Sequence, residues 1–204
     1  MAIAFGKNNS NATEYISELH QIWGQIYRII GLRQGLSTEA LRYAATLRAK
    51  AKPSKTLSES DSVEQLIAYC DTEVLKTIEV SEWLLLVIKH FDSFLADTKH
   101  SRVAVTRITQ ARLLALAITL RDFPSIDREK LLDQWERTSF RLYGLCKKDK
   151  RTSVGDYVRL AWNIINEENV SVDSISNTFD KISEGKDHDI EWALARLTSE
   201  NCYE

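Results

Sequence analysis

Residues 11–30 read NATEYISELHQIWGQIYRII, and this stretch decides the class of fold. Apolar side chains recur at Ile16, Leu19, Trp23, Ile26 and Ile30, in steps of three and four. That spacing follows the turn of an α-helix and lays one apolar stripe along one face. Asn11 stands where an N-cap is needed, and Glu14 three residues on completes the capping-box spacing. Gly31 and Gly35 supply the stop.

The same pattern continues outward. Ser37 is the expected cap of a second helix through Leu41, Ala44, Ala45 and Leu47, which breaks at Pro53. After a polar linker from Ser54 to Ser62, the positions Val63, Leu66, Ile67 and Cys70 outline a third helix. Asp71 or Thr72 caps a fourth that runs to Ala96; its centre, Trp83 to Ile88, is apolar all round and so expected to be buried on most sides. Asp97 to Val105 reads as a turn. A fifth helix spans Ile108 to Leu120 and ends at Asp122-Phe123-Pro124. Asp127 and Glu129 open a sixth, where acids complement the helix dipole, and its stripe is Leu131, Trp135, Leu142 and Leu145. Val154, Tyr157, Val158, Ala161, Ile164 and Ile165 mark a seventh, and short helices follow at Val172–Ile182 and Ile190–Leu197.

The expected fold is therefore all-α, a single compact multi-helix bundle of about eight or nine helices. Composition agrees. Seven glycines and two prolines in 204 residues are too few for a turn-rich β fold. The organisation expected is a disordered or extended N-terminus over 1–10, a helical domain over 11–199 and a tail over 200–204. Trp83, Leu86, Trp135, Leu142, Tyr157 and Ile164 are the expected core.

Charge bounds the partners. The net charge of −2 argues against a generic polyanion binder, yet ten acids face three bases from Asn166 onward, leaving about +5 on residues 1–165. Cys70, Cys146 and Cys202 are odd in number and widely spaced, which fits neither a disulfide framework nor a zinc site. They read as reduced thiols, two of them buried. No basic and apolar leader opens the sequence, and the longest apolar run, Leu113 to Leu120, is far short of the roughly 20 residues a span needs. The expected location is the cytoplasm, with no membrane contact.

A search for chemistry finds no catalytic centre. The five tryptophans fall on five different predicted helices and read as core anchors. His20 lies beside Leu19 and Trp23 without an adjacent acid or nucleophile, so a packed boundary position is expected. His90, His100 and His188 have no metal-binding spacing. Asp187-His188-Asp189 with Glu191 is the best metal-like cluster, and it reads better as the acidic start of a helix. Asp127-Arg128-Glu129-Lys130 superficially matches the acid-and-lysine run of metal nucleases but sits in a helical pattern. No glycine-rich loop opens onto a helix to cradle phosphate. No cofactor, no metal and no enzymatic activity are expected.

Two basic segments remain. Ala40 to Ser58 carries Arg42, Arg48, Lys50, Lys52 and Lys55 with no acid. Arg137 to Arg151 carries Arg137, Arg141, Lys147, Lys148, Lys150 and Arg151 against Asp149 alone. The second set is the candidate contact for phosphate or for a partner. Arg137 and Arg141, four apart, would share a helix face.

Four stretches carry a family likeness: Glu18 to Tyr27 (ELHQIWGQIY), Leu36 to Tyr43 (LSTEALRY), Phe140 to Cys146 (FRLYGLC) and Ser153 to Ala161 (SVGDYVRLA). In these the chain resembles the helical region of GmrSD-like bacterial proteins, over roughly Tyr15 to Leu197. In that family a ParB-like, nucleotide-dependent domain precedes such helices and an HNH-type nuclease domain often follows. The likeness implies a non-catalytic connecting or regulatory part of a DNA restriction or defence protein, present as a fragment or a split gene product. Its partner would be a flanking ParB-like or HNH-type domain, with weak DNA backbone contact as a further implication. The ParB-like D-G-Q-Q-R motif and an H-N-H constellation are both absent, so no catalytic residue carries over. The alternative is a free-standing helical protein–protein interaction module unrelated to DNA.

Overall fold

A computed structural model describes residues 12–31, 34–96, 102–103, 105–146, 148, 151–184, 191, 194–195 and 197–198. Among these the architecture is all-α, with no strand. The helices are α1 (Ala12–Ile30), α2 (Gln34–Leu47), α3 (Glu59–Cys70), α4 (Val74–Ala96), α5 (Thr109–Leu120), α6 (Ser125–Ser139), α7 (Val154–Asn166) and α8 (Val172–Ser183). A 3-10 turn at Val105–Arg107 precedes α5, and a π-helical turn at Phe140–Leu145 follows α6. Their packing divides the chain into two compact units. One holds α1 to α4; the other holds α5 to α8 together with Lys52–Lys55.

In the first unit α1 packs on α4, and α2 packs on both α3 and α4. The face of α1 that goes inside is Leu19, Ile22 and Ile26, while Trp23 is half-buried and Ile16 is exposed. The buried stripe is thus rotated from the expected one, and His20, expected at a packed boundary, is exposed instead. Gly31 closes α1 at φ +53, a conformation that costs a glycine little. Gly35 and Ser37 do not act as stop and cap, because α2 already starts at Gln34 and contains both. The expected linker is also shorter than its composition suggests. Ser58 caps α3, its hydroxyl accepting from the Asp61 amide at 3.2 Å, so Glu59 to Ser62 are helical. Thr46 ties that linker down: its hydroxyl donates to the Arg42 carbonyl and accepts from the Leu57 amide at 3.0 Å.

Asp71 ends α3 in a left-handed conformation, φ 41, and Thr72 follows at φ 62, so neither caps α4. The exposed residues of α4 are Leu75, Glu79, Glu82, Leu86, Lys89 and Ser93, spaced alternately four and three. Leu86 sits on this solvent stripe at 42% exposure and is not core. Within the six-residue apolar run of α4, Leu86 alone falls on the same exposed line as Glu82 and Lys89. Trp83, Leu84, Leu85, Val87 and Ile88 are buried. The Trp83 indole N–H donates to the Ala44 carbonyl at 3.0 Å, and the fully buried Tyr43 meets Phe91 edge-on at 5.4 Å.

In the second unit α5 is the centre. Every residue from Leu113 to Ile118 is fully buried, with α7 and α6 packed against it. A helix apolar all round is stable only when covered on most sides, and α5 is. Trp135 of α6 is fully buried, its N–H on the Ala111 carbonyl at 2.8 Å. Tyr157, Val158, Leu160, Ala161 and Ile164 form the inner face of α7. Ile175 and Phe179, one turn apart, seat α8, which packs chiefly on α6. Expected core positions Trp83, Trp135, Leu142, Tyr157 and Ile164 are buried. Half of the predicted helix at Ile190–Leu197, including Trp192, and the terminal stretches 1–10 and 200–204 lie outside the described residues.

Candidate partner or phosphate interface

The candidate segment Arg137–Arg151 begins on the last turn of α6 and leaves it through an irregular turn. The Phe140 amide is shared between the Arg137 and Glu136 carbonyls. The Cys146 amide then reaches back five residues to the Arg141 carbonyl at 2.9 Å, and the Lys148 amide six residues to Leu142 at 3.0 Å. Such widened turns inside helices are rare and often mark functional sites. Glycine permits this one: a Cβ on Gly144 would lie 2.9 Å from the Phe140 ring. The widened turn turns Leu142 inward and leaves Phe140 exposed.

Arg137 is exposed and its Nε donates to the Asp133 carbonyl at 3.3 Å, whereas Arg141 is half-buried. The face expected to be shared by this pair spans the change from α-helical to π-helical winding at Phe140. Lys148 is half-buried and Arg151 exposed. Lys147 and Lys150 lie outside the described residues.

Both flanks of the segment are anchored. The Tyr143 hydroxyl donates to the Thr152 carbonyl at 2.7 Å and accepts from Gln110 at 3.2 Å. Ser139 and Tyr157 share a hydrogen bond of 2.8 Å inside the core. Ser153, at φ 56, starts α7 in the left-handed region, and its carbonyl accepts from the Asp156 and Tyr157 amides. A non-glycine residue there stores a little strain, which these hydrogen bonds hold in place.

Burial pushes the Tyr157 phenol above its ordinary 10.0, against a smaller lowering from Ser139; burial raises Tyr143 as well. The folded chain therefore keeps phenol protons that the unfolded chain releases near pH 10. The stability these groups contribute is complete below that pH and is lost as pH rises beyond it. Melting midpoints recorded from pH 8 upward should fall above about pH 10, less steeply in Tyr157→Phe. Phenolate absorbance from Tyr157 at pH 10 in a still-folded chain would contradict this.

The other basic segment is largely occupied with structure. Arg42 Nε donates to the Leu57 carbonyl at 2.8 Å. Arg48 pairs with Glu79 at 2.8 Å and lies over the Trp83 ring at 4.6 Å. A feature with no expectation attached is Arg102, 5% exposed in its side chain. It binds three carboxylates of α6: Glu129 at 2.8 Å, Asp133 at 2.6 Å and Glu136 at 3.1 Å. Desolvation opposes its charge, and the three hydrogen bonds outweigh that and raise its pKa. Glu129 thus faces an arginine. The acids at 129, 133 and 136 follow helical spacing, a signal for a shared cation that the sequence does carry.

Cys70 and Cys146 are free thiols, half-buried rather than fully buried. Among the described residues no group of three or more His, Cys, Asp or Glu could hold a metal; Asp187, His188 and Asp189 are outside them. No described helix is long and apolar enough to cross a membrane. No family model, curated protein or solved structure matches the chain.

Proposed function

We propose that this chain is a non-catalytic helical module that connects, positions or regulates neighbouring domains, as the helical region of GmrSD-like restriction or defence proteins would. Its contact is the segment Arg137–Arg151, and the occupant is an acidic surface of a flanking ParB-like or HNH-type domain. The observation that carries this is the anchored π-helical turn, which sits within the basic segment among Arg137, Arg141, Lys148 and Arg151. A net charge of −2 favours a local acidic partner over general polyanion binding. The non-catalytic reading is supported by where the perturbed groups sit. Tyr157 and Arg102 are enclosed in packing and ion pairs, not poised at an opening.

Replacing Lys147, Lys148 and Lys150 with alanine tests this assignment. Co-purification of an acidic partner domain from the native host should be lost while the melting midpoint stays unchanged. If DNA is what the segment holds, the variant instead flattens the salt dependence of DNA binding, by roughly 0.9 log units for each phosphate the segment no longer holds. An unchanged partner profile and unchanged DNA binding would make the segment a solvated loop.

The alternative, an interaction module unrelated to DNA, is favoured by a different observation in the first unit. Val63 and Ile67, one turn apart on α3, are 40% and 67% exposed, and Leu75 on α4 is 65% exposed. Apolar side chains left in water on consecutive helices suit a protein partner. Loss of a partner on Ile67→Asp, with the lysine variant indifferent, would favour it.

A further inference from the structure

The second unit contains a groove of about 370 Å³ that lies outside the Arg137–Arg151 segment. Lys52, Arg159 and Lys181 line it, from the Lys52–Lys55 stretch, α7 and α8, against a single carboxylate, Asp156. We infer that this groove binds a phosphate group, as free phosphate or as a small phosphate ester.

The cations are available there. Arg159 is paired with Asp156 at 2.8 Å and Lys52 with Glu167 at 3.2 Å, with all four side chains between 39% and 48% exposed. Pairs so exposed exchange partners at little cost. Lys181 makes no ion pair or hydrogen bond among the described residues. An oxyanion gains more from a guanidinium and two ammonium groups together than from any one of them.

Two details are specific. Gly155 stands in the first turn of α7. A Cβ there would lie 2.8 Å from Nη1 and 3.0 Å from Nη2 of Arg159, so the missing side chain makes room for the guanidinium at the groove. Asn163 also lines the groove, and its Oδ1 is buried with no hydrogen-bond partner among the described residues. A buried acceptor needs a donor. Sulfate and carboxylate groups offer none at neutral pH. A phosphate near its second dissociation, around pH 6, still carries a P–OH, and a phosphate ester of a polyol carries hydroxyls as well.

The test is calorimetric titration of the whole chain at about pH 6 and constant ionic strength, with inorganic phosphate, glycerol 3-phosphate and sulfate as probes. Saturable binding of one phosphate probe per chain is expected, about tenfold or more tighter than sulfate. Tighter binding of glycerol 3-phosphate identifies an ester as the ligand; equal binding identifies free phosphate. Lys181→Gln should weaken binding about tenfold, and Gly155→Ala should do the same by displacing Arg159 while leaving the melting midpoint no lower. Lys130→Gln on α6 should change nothing. Absence of saturation by both phosphate probes, sulfate binding equally well, or equal weakening by Lys130→Gln would each overturn the proposal. The alanine variants of Lys147, Lys148 and Lys150 leave these titrations unaffected, so the outcome is separate from that of the partner segment.

Discussion

Trp135→Ala should lower the unfolding free energy by about 3–5 kcal/mol, read from urea or thermal melts of the whole chain. The ring has no exposed surface and is the largest fully buried side chain among the described residues. Truncation removes its transfer free energy and leaves a cavity beside α5, whose residues are themselves too tightly enclosed to collapse into it. It also removes the N–H bond to the Ala111 carbonyl at 2.8 Å. Trp135→Phe separates these contributions, since it keeps most of the volume and loses the donor; its smaller penalty should lie near the ~1 kcal/mol of one net hydrogen bond plus a partial cavity. A variant with unchanged stability would mean that the indole is not packed between α5 and α6.

The second large effect is expected at Arg102. Removing one member of a buried ion cluster typically costs about 3–5 kcal/mol, because the partner charges stay behind unpaired. Here Glu129 and Asp133 are 45% and 51% exposed in their side chains and can rehydrate, while Glu136 at 22% is less free to do so. Arg102→Met should therefore fall at the lower end of that range, with three like charges left along one side of α6. Arg102→Lys keeps the charge but not the planar fork that serves Glu129, Asp133 and Glu136 from two nitrogens, so rescue should be partial. If methionine at 102 stabilised the chain, the cluster would be a desolvation burden and not a clasp.

The helices were legible for a local reason. The apolar period at Leu19 to Ile26, the scarcity of glycine and proline, and the all-apolar run of α5 each act within a few turns of chain, where sequence and structure share the same geometry. Phase was less legible than existence. On α1 the inner stripe passes through Ile22 and not Ile16, and on α4 Leu86 faces water. Helical periodicity tolerates either phase until a neighbouring helix chooses one.

The candidate site was legible only as composition. Clustered lysines and arginines from Arg137 to Arg151 are visible in the sequence, but the π-helical turn at Phe140–Leu145 is not. It depends on Leu142 turning inward, on Tyr143 reaching Thr152 and Gln110, and on Ser139 meeting Tyr157. The phosphate groove left no sequence signal at all, since Lys52, Arg159 and Lys181 come from three separate segments.

By itself, then, the sequence determined that this chain is helical, and the order and approximate extent of its helices, because backbone hydrogen bonding and side-chain period are local properties. Tertiary structure alone decided which face of each helix is inside, where α6 unwinds, and which carboxylates Arg102 holds. Those outcomes depend on burial and on charges that meet only after distant segments pack, and no local spacing encodes them.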